Sequence, residues 1–160
     1  MGRAAALWDE MFADYMDGNS YAEPDIMACN RILTGWARSN NSTAVDRAEA
    51  MLQQMWRLHD TGLNNIRPSV GSYNSLVFCW KHSNRSYAPV RVDTLLQEMD
   101  HFHMTGRMEH PPNHVSFRTV LKTWKQSAHS PAKSARIRTL ERELYKRFGI
   151  TADGGNKATK

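Results

Sequence analysis

Apolar residues along this chain fall into short stripes at helical spacing, separated by polar stretches rich in Gly, Pro, Ser and Asn. Ala4, Leu7, Trp8 and Met11 stand at i, i+3, i+4 and i+7, which predicts one face of a helix over residues 1–17. The same spacing returns at Cys29, Ile32, Leu33 and Trp36, then at Ala48, Met51, Leu52 and Met55. It returns again at Tyr73, Leu76, Val77 and Trp80, at Val92, Leu95, Leu96 and Met99, and at Phe117, Val120, Leu121 and Trp124. A last stripe, Ile137, Leu140, Leu144 and Phe148, has drifted, and Arg136, Thr139 and Glu143 take positions that are apolar in the earlier units. No segment alternates with period two over strand length, so the chain reads as all-α.

The stripes belong to a repeat. Pro24, Pro68 and Pro112 recur every 44 residues, and so do Trp36, Trp80 and Trp124, and Ser39, Ser83 and Ser127. A second ladder holds Leu52, Leu96 and Leu140; Met11, Met55 and Met99; and Gly18, Gly62 and Gly106. Self-similarity at a fixed period of this size marks stacked supersecondary units. Each unit opens at its Pro with a first helix, A, turns through a polar loop, and closes with a second helix, B, that ends at a Gly. Residues 1–23 read as the second helix of a truncated repeat, and 24–67, 68–111 and 112–150 as three repeats, the last cap-like. The Gly-, Lys- and Thr-rich tail 151–160 reads as disordered. Neither helix of a unit can bury its stripe alone, so hairpins stack and the expected fold is a right-handed superhelical α-solenoid of helix-turn-helix repeats with one concave face.

Charge and composition change this picture modestly. The net charge of +5 permits a nucleic-acid partner without demanding one. Residues 118–147 carry nine Lys or Arg (among them Arg118, Lys122 and Lys125) against Glu141 and Glu143, a basic terminus able to track phosphates. The equally simple reading is a solvated cap on the last helix. The first 25 residues hold one base, Arg3, and six acids, the wrong charge for a targeting segment. No apolar run approaches a membrane span. Cys29 and Cys79 each lie on an apolar stripe and read as buried free thiols of a reducing compartment. His101, His103, His110 and His114 straddle a helix end and a connector without a familiar ligand spacing, so neither a metal nor a cofactor is expected. No phosphate-binding Gly loop or nucleophile motif is present, and the chain reads as a binding module rather than an enzyme.

Pro68-Ser69-Val70-Gly71-Ser72-Tyr73-Asn74-Ser75-Leu76-Val77 resembles the opening of a pentatricopeptide repeat, as does Pro24-Asp25 followed by Asn30-Arg31-Ile32-Leu33. Met51-Leu52-Gln53-Gln54-Met55 and Leu95-Leu96-Gln97-Glu98-Met99 are similar to the end of that family's second helix, and Gly62 and Gly106 to the Gly before its connector. The resemblance covers residues 4–148; the 44-residue period is longer than the family's, the extra residues falling in loops. The tetratricopeptide repeat fits less well, because no Trp here is followed by Leu-Gly at that family's spacing.

The resemblance implies single-stranded RNA binding at one base per repeat, in processing, stability or translation of transcripts in a mitochondrion or chloroplast. It assigns base reading to Asn30 with Ser69 and to Asn74 with Asn113, the first pair resembling a cytosine reader and the second a pyrimidine reader. Met27, Gly71 and Val115 take the place that packs on a base, and Gly71 removes the apolar wall there. Arg118 stands where the third unit's Asn is expected. Asp25, Ser69 and Asn113 are also good helix N-caps, which alone accounts for their presence. Two or three read bases at about 1–3 kcal/mol each leave little surplus over the cost of association, so binding is expected to be weak unless the chain belongs to a longer array. The alternative is a tetratricopeptide-like scaffold for protein partners, which calls for apolar and aromatic residues open to the concave face.

Overall fold

The computed structural model describes residues 2–19, 23–39, 43–128 and 131–151. Among these residues the chain forms seven α-helices: α1 (Gly2–Met16), α2 (Ile26–Ala37), α3 (Ala44–Asp60), α4 (Val70–His82), α5 (Ala88–Met104), α6 (His114–Gln126) and α7 (Pro131–Phe148). The tail from residue 152 onward, the loop residues 40–42, and the side chains of Ala4 and Leu7 lie outside the described part. No described helix is long and apolar enough to cross a membrane.

The residues in 44-step register explain why each helix starts and stops where it does. Asp25, Ser69 and Asn113 cap α2, α4 and α6 through side-chain oxygens that accept backbone N–H groups of the first turn. Ser72 and Ser116 complete reciprocal capping boxes on α4 and α6. At the other end, the Ser39, Ser83 and Ser127 hydroxyls each donate to the carbonyl of the register Trp at 2.8 Å. Each of those carbonyls also accepts the backbone N–H of the same serine at 3.0–3.2 Å, so one residue closes the helix end with both of its donors. Gly62 and Gly106 adopt φ of 107° and 73° just beyond α3 and α5, a left-handed turn that other residues enter only with strain.

The predicted stripes form the core. Cys29, Tyr73 and Phe117 are buried at equivalent positions, as are Leu33, Val77 and Leu121, the three register Trp, and Leu52, Leu96 and Leu140. Helix α7 contributes Leu140 and Leu144, with Ile137 and Phe148 packed at their edge. Trp56, Ile66 and Met108 are core residues that stand outside the repeat pattern. Trp56 is buried and its indole N–H donates to the Tyr73 hydroxyl at 3.0 Å. Ile66 and Met108 lie in segments predicted as plain connectors, yet both are fully buried. The connectors are therefore anchored, and they are tied to each other: Arg67 donates to the main-chain carbonyls of Arg107 and Gly106 at 2.8 and 2.7 Å.

The solenoid stacks along its A helices. Helix α2 packs along α4 and α4 along α6, each A helix against the next. The B helices α3, α5 and α7 pack mainly on A helices, and α3 also meets α5 where the Trp56 and Phe102 rings lie edge to face, centroids 5.2 Å apart. Long ion pairs bridge the gaps between them: Arg91 to Glu49 at 2.7 Å, Arg136 to Asp93 at 2.7 Å, and Arg147 to Asp100 at 2.8 Å. The A helices thus form one continuous wall, each in contact with the next.

Candidate nucleic-acid interface

The sequence pairs Asn30 with Ser69 and Asn74 with Asn113, and each pair meets at the junction between successive A helices. Asn30 points from α2 toward the start of α4, where its carbonyl oxygen accepts the Ser72 hydroxyl at 2.7 Å. Ser72 in turn accepts the Ser69 backbone N–H at 3.1 Å, and the two serine hydroxyls are 3.3 Å apart. One unit on, Asn74 repeats the arrangement at the start of α6: its carbonyl oxygen accepts the Ser116 hydroxyl at 2.6 Å, and Ser116 accepts the Asn113 backbone N–H at 3.2 Å. Asn74 also donates through Nδ2 to the Asn113 carbonyl oxygen at 3.3 Å. Both Asn30 and Asn74 are half-buried. They are neither sealed between helices nor free: their oxygens are held by the following helix, and donor hydrogens remain for a ligand.

Ser72 and Ser116 are the residues the sequence reading passed over. Both are fully buried and 44 residues apart. The register alone could have revealed them, but a serine three residues into a helix reads as ordinary capping.

Of the residues predicted to pack on a base, Met27 is 63% exposed and Val115 is 44% exposed, on the first turns of α2 and α6. Gly71 occupies the equivalent turn of α4. A Cβ there would lie 3.4 Å from Ser69 Oγ and 3.9 Å from Asn30 Nδ2. The missing side chain thus leaves the Asn30 amide nitrogen uncovered.

Two adjoining grooves connect the pairs. Met27, Asn30, Arg31, Thr34, Gly35 and Arg38 line the first along α2. Thr34, Arg38, Asn74, Ser75 and Phe78 line the second, between α2 and α4, and the Thr34 and Ser75 hydroxyls meet there at 3.3 Å. Phe78 is 38% exposed, lies 4.5 Å centroid to centroid from the His82 ring, and carries the Lys81 ammonium 5.4 Å from its ring centre. Burial and the adjacent Lys81 lower the His82 pKa from its ordinary value.

The cations divide into two sets. Arg31, Arg38, Arg118 and Lys122 make no hydrogen bond or ion pair with the described residues. Of the nine bases in the run 118–147, predicted as one phosphate-tracking stretch, four are spent on the fold. Lys125 pairs with Glu141 at 2.8 Å, Arg136 with Asp93, Arg147 with Asp100, and Lys133 donates to the carbonyls of Lys125 and Ser127. Arg136, predicted to face outward on a capping helix, turns back to α5 because the half-buried Asp93 requires a counter-charge. Among the described residues, no cluster of three or more His, Cys, Asp or Glu side chains is arranged to hold a metal.

Comparison with protein families, with curated proteins and with solved structures yields no match for this chain.

Proposed function

We propose that the wall of A helices binds single-stranded RNA, one base at each junction between A helices, as the pentatricopeptide resemblance implies. The observation that carries this reading is the pair of equivalent junctions. At each, an Asn is held through its oxygen by a serine of the next helix and keeps amide hydrogens for a ligand. Unpaired Arg31, Arg38, Arg118 and Lys122 on the same row of helices supply charge for the phosphates. Met27 and Val115 supply apolar surface against bases, and Phe78 a ring on which one can stack. The exposed Phe78, Met27 and Val115 also favour a second reading, a groove for a peptide of a protein partner.

A titration of the chain across a series of salt concentrations separates the two. Pyrimidine-rich single strands are expected to bind more tightly than purine-rich strands or duplex, with affinity falling as salt rises because counterions are released. Equal affinity for single strands and duplex, or none for either, contradicts the RNA reading. A role in organelle transcript processing follows only if this binding holds.

A further inference from the structure

We infer that the outward face of α6 docks helix α1 of a second copy of this chain, so that copies associate head to tail. This inference does not rest on the RNA reading above; the two share only the cations Arg118 and Lys122.

Two ridges on this chain carry opposite charge at one spacing. On α1, Trp8 is buried, and Met11, Phe12 and Tyr15 pack beside it against the core. Glu10 and Asp14, with Asp17 one residue past the helix end, stand at i, i+4 and i+7 on the side opposite that packed stripe. All three are exposed, and the Glu10 and Asp14 carboxylates make no hydrogen bond or ion pair with the described residues. On α6, Phe117, Val120, Leu121 and Trp124 form the buried side. Arg118, Lys122 and Lys125 stand at the same i, i+4 and i+7 on the side opposite. Lys125 meets Glu141, whereas Arg118 and Lys122 are unpaired.

The place of the basic ridge in the stack says what it faces. Asn30 and Asn74 reach forward to the A helix of the next unit. Arg118 holds their register on α6, and among the described residues no A helix follows it. The ridge is therefore directed at the space a further helix would fill, and its cations call for an acidic one. Helix α1 supplies that complement, with carboxylates at matching spacing. Within one chain the two ridges stand at opposite ends of the row that runs from α1 through α2 and α4 to α6. Two copies bring them together. Each copy then offers α1 to one neighbour and α6 to another, so assembly is not limited to a dimer. One helix laid on another buries a small area, and exposed ion pairs are individually weak and screened by salt. Association is accordingly expected at high protein concentration and low ionic strength.

Sedimentation equilibrium of the full chain tests this. At about 0.5 mM protein and about 20 mM salt the weight-average mass is expected to exceed about 1.5 times the monomer mass, and to return to the monomer value at about 0.5 M salt. Glu10→Lys with Asp14→Lys, and Arg118→Glu with Lys122→Glu, are each expected to stay monomeric, with melting curves confirming that both fold. Mixed in equal amounts, the two variants again meet with opposite charges at every contact, and the mass is expected to rise as in wild type. Arg138→Glu with Arg142→Glu changes the net charge as much as the α6 variant does, but on α7, and is expected to leave association in place. Association without oligonucleotide binding supports the docking and contradicts the RNA reading. Monomer under every condition overturns the docking and leaves the RNA reading standing. A mixture that stays monomeric overturns it as well, as does an equal loss in the α7 variant, which reduces the effect to net charge. A mass that rises only when a single-stranded oligonucleotide is added assigns the α6 ridge to RNA and overturns the docking too.

Discussion

At the scale of single residues, the protein invests buried polar and sulfur atoms in states that burial holds neutral. Cys29 and Cys79 lie in the core, and burial pushes each thiol from an ordinary 9.0 up to about 12. Burial likewise pushes the Tyr73 hydroxyl from 10.0 up to about 12, opposed by the hydrogen bond from Trp56. All three groups have folded pKa values above their unfolded ones. The stability they contribute is complete below the unfolded values and is lost as pH rises from about 9 toward 12. Melting temperature is accordingly expected to hold between pH 7 and 8.5 and to fall steeply above it. Native protein at pH 8 is expected to resist iodoacetamide until denaturant is added, since a buried protonated thiol is a poor nucleophile. Rapid alkylation of the native chain would contradict this placement of the cysteines.

At the scale of elements, the two layers are held by different forces. The A helices bury apolar stripes against each other, whereas the B helices reach across with charged side chains and, from α3 to α5, with the Trp56–Phe102 ring contact. Glu49 and Asp93 share the 44-residue register, and each takes an Arg from the following B helix. Asp93 is the more enclosed acid, with its side chain 15% exposed and gripped by Arg136 in a bidentate pair. Arg136→Ala leaves that carboxylate without its partner and is expected to cost about 1–3 kcal/mol in urea unfolding. Arg138→Ala, on the exposed side of the same helix, is expected to change stability by less than about 0.5 kcal/mol. Equal effects of the two would mean that α7 is not tied to α5 through this pair. These rungs were not legible in the sequence. Helices and core were, because apolar spacing is local and the register repeats it. The partners in a rung are more than 40 residues apart, and nothing near Arg136 distinguishes it from Arg138. Ile66 and Met108 were missed for a related reason: they anchor different connectors at positions that do not share the register.

At the scale of the whole molecule, the contacting A helices form one wall, and its side chains decide what it offers. The wall carries the donor-bearing amides of Asn30 and Asn74, the unpaired Arg31, Arg38, Arg118 and Lys122, and the exposed Met27, Phe78 and Val115. The sequence placed the two Asn in register. It did not show the serines that hold them, because Ser72 and Ser116 read as caps of their own helices and their second role is on the preceding unit. Nor did it separate the cations spent on ion pairs from those left free, since Lys125 and Lys122 look alike until Glu141 is brought beside one of them. The most direct test of the account is the nuclear magnetic resonance spectrum of the side-chain amides during titration with a pyrimidine oligonucleotide. The Asn30, Asn74 and Asn113 amide signals are expected to shift together with backbone signals of α2, α4 and α6, while those of α3 and α5 stay in place. Shifts confined to the B helices, or Asn amide signals that do not move while the oligonucleotide binds, would contradict it.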